Sequence, residues 1–396
     1  MPDYNLKQQE NDSMINRKPL FKSEFKREFE SASLRMDMIR GIAASAIVIH
    51  HWILFMPHKS SLSIFYFAAE MIQTLAGTTV HLFFILSGFG LTISYFKSNV
   101  TSWKDWTKRR FRKVILPYWI IITLIYFSGN VIHYIAPAIF KRNYSSFVLL
   151  TYITLTRNFF NLSWEMNPTL WFIPAIIGLY LLFPFLIKIL ERYGAFSLLI
   201  LSIIFTYLSI TLCIILKYPV EHQSSLPLFF LSEFVLGMFI GYILCFFTDS
   251  FSRLIGLKEF ILGIGFYGLS WAINRKWGLG PEYNDLFTTI GIFLITLNIC
   301  HWMVGFSPEK VVKILRELSK QSYIMYLLHG AIILFLIKPI WIYKMQYPLN
   351  SAMTIMLSLF YCLIIFLLAK IFSPLINALS SLFMNSFKRL ITQYME

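Results

Sequence analysis

Apolar residues come in runs of about twenty along most of this chain, parted by short polar stretches, and the runs lack the two-residue alternation of a half-buried strand. A run of that length crosses a ~30 Å hydrocarbon core as a helix, and lipid admits only helices and closed barrels. The pattern predicts an all-α polytopic integral membrane protein with about ten transmembrane helices. They fall near 38–57, 79–96, 115–136, 169–190, 196–216, 227–247, 259–273, 285–304, 322–342 and 351–372. The stretch from Ser63 to Leu75 is also apolar but contains Glu70. A lone carboxylate in lipid is costly, so this stretch is read as an interfacial or re-entrant approach to the second span. After Pro374 the segment to Phe387 is amphipathic and is expected to lie on the membrane surface. Three parts follow: a polar tail over 1–35, a transmembrane domain over 36–373 and an amphipathic tail over 374–396.

Composition agrees with this pattern, with 57% hydrophobic and 14% charged side chains among 396 residues. The net charge of +15 raises the question of nucleic acid, but the basic residues sit in the short connections. Of the 35 lysines and arginines, 25 flank one side of the predicted spans and nine the other, with Lys370 inside the last span. That asymmetry is the mark of cytoplasmic connections, so the charge reports topology and places both termini in the cytoplasm. The polar first 30 residues carry no apolar leader run. Cys213, Cys245, Cys300 and Cys362 lie in or beside apolar stretches without metal-ligand spacing, which predicts packing and no metal.

Ionisable groups inside spans are the informative ones, because burial costs them several kcal/mol unless something compensates. In the first span Asp37 and Arg40 stand three residues apart and share a face. His51 lies eleven positions beyond Arg40. At 100° per residue it returns to within about 20° of that direction after a rise of roughly 16 Å, whereas His50 points about 80° away. The run from Lys108 to Lys113 puts five basic side chains just before Leu116-Pro117-Tyr118-Trp119. It can hold phosphates or serve only as a positive-inside cluster. Ser322, Tyr326 and His329 form a stripe at i, i+4 and i+7, open to a cavity role or to interhelical hydrogen bonding alone. Glu233 is a further buried carboxylate, lining the same cavity or neutralising a helix. The connection 137–168, with Tyr144, Tyr152, Arg157, Trp164 and Glu165, suits a polar acceptor or is a plain loop. His81, His133, His222 and His301 lie near span ends or in loops and are assigned no role. The run Leu82 to Gly90 reads as a packing helix whose small residues allow close approach.

These segments together resemble the membrane acyltransferase 3 family. Asp37-x-x-Arg40-Gly41-x-Ala43-Ala44 continuing to His51 is similar to its first-helix pattern, an arginine followed by ten residues and a histidine. Val80-x-Leu82-Phe83-Phe84-x-Leu86-Ser87-Gly88-Phe89 resembles its second-helix signature, and Arg109-x-x-Arg112 before Leu116-Pro117-Tyr118 its third-helix motif. Leu170-Trp171-Phe172, Tyr180 to Pro184, Gly237-Met238 and Ser322-Tyr323-x-x-Tyr326-Leu327-x-His329 follow in the family's order. The likeness runs over about 35–373, with no esterase-like domain after the last span. Many members carry glutamate four residues before the tyrosine matching Tyr180; here the residue is Ile176.

The resemblance implies transfer of an acyl group, usually acetyl from acetyl-CoA, to a hydroxyl of a carbohydrate or glycolipid acceptor at the outer face of the inner membrane. Acyl-CoA would be a substrate, with no permanently bound cofactor, and the bilayer rather than nucleic acid would be the other partner. His51 would act as general base or transient acyl carrier, with Asp37 orienting Arg40. Arg40, Arg109 and Arg112 would hold the CoA phosphates. Ser322, Tyr326, His329, Glu233 and Trp171 would line the cavity. An exporter or flippase of polysaccharide or lipid-linked sugar, with Arg40 and His51 on its path, is the competing class. A structural partner in an envelope complex is a third.

Overall fold

The computed structural model describes residues 23–395 apart from 57–63, 99–101, 138–142, 161, 163–164, 219–225, 278–284 and 346–348. Most of the polar tail, together with Trp164 and His222, lies outside the described residues. The described chain is almost wholly helical. Among the described residues, nine helical runs are long and apolar enough to cross a membrane. They include α1 (Ser23–Phe55), α7 (Phe172–Tyr193), α8 (Ala195–Ile215), α12 (Asp285–Phe306) and α13 (Glu309–Ile332). The remaining expected span, after the short α10 (Thr248–Ser252), is α11 (Leu257–Trp277). Its 21 residues reach roughly 31 Å, but Lys258, Glu259, Arg275 and Lys276 lower its apolarity.

Three boundaries differ from those the pattern suggested. α1 starts at Ser23, so the expected break at 35/36 falls inside a continuous helix. The stretch after Ser63 forms α2 (Ile64–Thr78), which runs through a turn at Thr79 into α3 (Val80–Ser98), making the approach and the second span one bent rod. At the other end α15 (Ser351–Met395) continues through Pro374, so the last span and the amphipathic tail are a single helix. Proline is tolerated there because membrane helices can re-satisfy the freed carbonyl locally. Ile376, Ser380 and Met384, four residues apart, are all buried, which shows that the helix stays packed beyond the proline.

Proline acts differently in two other rods. α4 (Trp103–Arg110) joins α5 (Leu116–Ile135) through a π-turn at Phe111–Ile115, and a second π-turn at Ile333–Ile337 joins α13 to α14 (Lys338–Met345). Pro117 and Pro339 each sit at the second residue after their π-turn. A proline ring clashes with the carbonyl four residues earlier and lacks the N–H to bond it, and a wider π-turn absorbs both defects without ending the helix. The basic run before Pro117 is therefore helical, where the sequence suggested a connection.

The described part of the connection 137–168 is folded against α5. α6 (Ser146–Ile153) is followed by short 3₁₀ turns at Arg157–Phe160 and Pro168–Trp171. Tyr118 Oη donates to Tyr152 O at 2.8 Å and Trp119 Nε1 to Ile153 O at 3.0 Å. Arg157 is buried, donates to Asn167 O at 2.9 Å and lies 4.5 Å from the Tyr152 ring centroid.

Where helices touch most closely, glycine sets the distance. A Cβ on Gly88 of α3 would run into the Phe234 carbonyl of α9 (Leu231–Phe246), and one on Gly237 would run into the Ile85 carbonyl. The two backbones are in contact, the small-residue packing expected of the Leu82–Gly90 run. Gly41 meets the Leu315 carbonyl of α13 in the same way. Gly237→Ala is expected to lower stability by about 1–3 kcal/mol, the cost of overpacking a tight contact. Gly90→Ala, whose Cβ enters open space, should leave it unchanged. Thermal unfolding in detergent measures the difference.

Candidate functional site

The close contact of α1 with α13 at Gly41 aligns the two helices, and their polar stripes then face each other. His51 and His329 meet: both are buried, with His51 Nδ1 3.2 Å from His329 Nε2. Hydrogen-bond inventory fixes which nitrogens carry protons in the neutral pair. His329 Nδ1 lies 2.7 Å from Tyr326 O and must be the donor there, leaving Nε2 as an acceptor. His51 Nδ1 lies 3.0 Å from Ile47 O as well as beside His329 Nε2. Both neighbours are acceptors, so Nδ1 carries the hydrogen and His51 Nε2 keeps its lone pair. The arrangement presents one basic nitrogen, on a ring whose orientation is set by the other nitrogen.

Side chains around the pair are themselves tied down. Tyr361 Oη donates to His329 O at 2.6 Å, and Tyr326 Oη to Thr169 O at 2.6 Å. His50 Nδ1 is 2.8 Å from Gln73 O, so the neighbouring imidazole fastens α1 to α2. A small pocket of about 60 Å³ is lined by His50, His51, Thr169, Trp171 and Tyr326 among others.

On the Arg40 side a larger cavity of about 520 Å³ opens, sharing Ile47, Val80, Phe172 and Tyr326 with the small pocket. Four cationic side chains are on its wall: Arg40, Arg110, Lys113 and Lys320. Arg40 Nη1 is 3.0 Å from Asp37 Oδ1, and Lys320 Nζ is 2.6 Å from Glu317 Oε1. Arg110 lies 5.7 Å from the Trp106 ring centroid. Between the charged rim and the histidines the wall is tyrosyl, seryl and apolar, with Ser87, Ile176, Tyr180, Ser322 and Tyr323. Tyr180 Oη donates to Ser87 Oγ at 3.4 Å, and Tyr323 Oη reaches into the π-turn to Val114 O at 2.6 Å.

The structure thus brings together Arg40, His51, Ser322, Tyr326, His329 and Trp171, with Asp37 bound to Arg40. It does not bring Glu233 to this cavity; that carboxylate lies beside His81, 2.9 Å from its Nδ1. Arg109 and Arg112 are exposed and off the cavity wall, where Arg110 and Lys113 stand instead. Arg109 and Arg112 rested on the likeness to the family motif, whereas the packing of α4 and its π-turn puts their neighbours on the wall.

The family model for an acyltransferase domain matches residues 33–373. No curated protein and no solved structure matches the chain. Lys113 and Lys320 on the wall of the larger cavity are exposed, which marks that cationic end as its mouth. Cysteine placed at Ser322 or Ser87 should therefore react with a hydrophilic thiol reagent. Labelling should be fast when the reagent is supplied to the face bearing Arg40 and slow from the other face, as measured in membrane vesicles of both orientations.

Proposed function

From the premise that this chain belongs to the acyltransferase 3 family, we propose that it moves an acetyl group from cytoplasmic acetyl-CoA to a hydroxyl of a carbohydrate acceptor at the outer face of the inner membrane. The observation that carries this reading is that the cavity walled by four cations adjoins the pocket of His51, the two sharing Ile47, Val80, Phe172 and Tyr326 as lining. A polyanionic head with a long neutral arm fits a cavity whose charge is confined to one end. Arg40, Arg110, Lys113 and Lys320 meet the phosphates by charge-assisted hydrogen bonds. The arm then runs past Tyr180 and Tyr323 toward Tyr326, which brings the thioester to His51, roughly 16 Å of helical rise from Arg40.

There His51 Nε2 takes the proton of the acceptor hydroxyl as its oxygen attacks the thioester carbonyl. The carbon–sulfur bond breaks, the ester forms, and the imidazolium returns its proton to the leaving sulfur. His329 accepts the His51 Nδ1 hydrogen bond and so holds the ring, a positioning role. Asp37 orients Arg40. The charge asymmetry of the connections supports cytoplasmic termini, which sets the Arg40 end inside and the Trp171 pocket toward the acceptor.

His51→Ala is expected to lower acetyl transfer by about 10²–10⁴-fold, the usual range for a general base, while the protein still accumulates in the membrane. His50→Ala should be milder. Assays with labelled acetyl-CoA on inside-out vesicles check this, and an unaffected His51→Ala rate would remove the catalytic assignment. Arg110→Ala and Lys113→Ala should each raise the donor KM by about ten-fold, since a hydrogen bond to a charged group contributes about 1.5–3 kcal/mol. Arg109→Ala and Arg112→Ala should change it far less.

A further inference from the structure

A second cluster of ionisable side chains lies behind the wall of the small pocket and takes no part in the path just described. His81 is at the start of α3, Glu233 in the first turn of α9 and Asp285 in the first turn of α12. Each offers a ligand atom within 4.8 Å of the other two. His81 and Glu233 are buried and Asp285 is partly covered. The Phe230 ring separates the cluster from the pocket, with its centroid 6.3 Å from His81 and 5.6 Å from Trp171.

An ordinary ion pair does not account for what is there. His81 Nδ1 and Glu233 Oε1 are 2.9 Å apart, which satisfies one oxygen. Glu233 Oε2 is buried without a hydrogen-bond partner, on a side chain only 1% exposed. Thr289 stands beside Glu233, one helical turn after Asp285, and its buried hydroxyl is near enough to favour the carboxylate's charge while falling short of hydrogen-bond geometry. The other ring nitrogen, His81 Nε2, faces Asp285 Oδ1 at 3.6 Å. That separation is too long for a hydrogen bond. It is close to the roughly 3.4 Å between two tetrahedral ligands that each stand about 2.1 Å from one ion.

We propose that His81, Glu233 and Asp285 form a binding site for a first-row divalent transition cation, which pins together the ends of α3, α9 and α12 behind the Trp171 wall. One imidazole and two carboxylates make a nitrogen and oxygen donor set suited to Zn²⁺ rather than to the softer thiolate-bound ions. The ion gives the orphaned Glu233 oxygen a partner, and side-chain rotation closes the 4.8 Å spread to bonding distance. Asp285, with 21% of its side chain exposed, opens the route of entry. Three chain segments lying 152 and 52 residues apart are joined at one point, which is the usual geometry of a structural ion.

The test uses the full chain in detergent, stripped with a chelator and desalted, then titrated with Zn²⁺ and in parallel with Mg²⁺. Bound metal is counted by elemental mass spectrometry while the thermal midpoint is followed. One Zn²⁺ per chain with a raised midpoint is expected, and no comparable effect of Mg²⁺. Glu233→Gln and Asp285→Asn should each weaken Zn²⁺ binding by at least about ten-fold, and His51→Ala should leave it intact. Asp285→His keeps a ligand and should retain the ion, which separates loss of the site from loss of the fold. Absence of stoichiometric Zn²⁺ would overturn the proposal. So would Zn²⁺ that survives Glu233→Gln and Asp285→Asn but departs with His51→Ala, or that is lost from a folded Asp285→His.

Discussion

The contact between α1 and α13 is the constraint on which the site depends. At Gly41 the helices approach until only a hydrogen fits beside the Leu315 carbonyl, and two stripes that are far apart in sequence are pressed face to face. An imidazole buried in such a seam must find partners or leave it, because lipid offers none. His51 and His329 satisfy each other and two backbone carbonyls. The remaining lone pair is the one group of the pair left for chemistry. Three of the four ring nitrogens hold the rings still, so the reactivity proposed for the pair is what packing leaves over.

The same logic of satisfaction explains the rest of the seam. Tyr326, Tyr361 and Tyr323 each donate to a backbone carbonyl on a different segment. Thr169 and Trp171 are therefore held over His51 by the turn that precedes α7, itself anchored through Asn167 Oδ1 to Thr169 N and Oγ1. Membrane helices gain little from hydrophobic association, so these hydrogen bonds and the glycine contacts carry the specificity of assembly.

Most of the fold was legible because apolar length is a direct reading of membrane thickness. What the pattern missed were the rods that cross a proline. Pro374 read as a boundary, yet the chain stays helical past it; Pro117 and Pro339 fell inside expected spans, and what the pattern did not show was the π-turn before each, which at Pro117 carries the helix back into the basic run. The site was legible where one straight helix carries it: the eleven-residue step from Arg40 to His51, and the stripe Ser322, Tyr326, His329, are phase arguments that need no neighbour. Arg110 and Lys113 were legible only as two of five basic side chains in one run, since which of the five face the cavity is decided by how α4 and its π-turn pack. Glu233 was legible as buried but not as belonging with His81 and Asp285, because only the tertiary packing brings α3, α9 and α12 to one point.

The rods that run past the membrane have a consequence for electrostatic cost. α15 is 45 residues long, roughly 67 Å at the helical rise, against a hydrocarbon core of ~30 Å. α1, with 33 residues, also exceeds that thickness, and α4 carries its cations on helix rather than on loop. The cationic rim of the larger cavity can thus stand as a collar in water, built on stiff supports. For the proposed donor, a multiply charged head docked at that collar would keep much of its hydration while an uncharged tether passes inward. The membrane crossing is divided by polarity, with the charge left at the threshold.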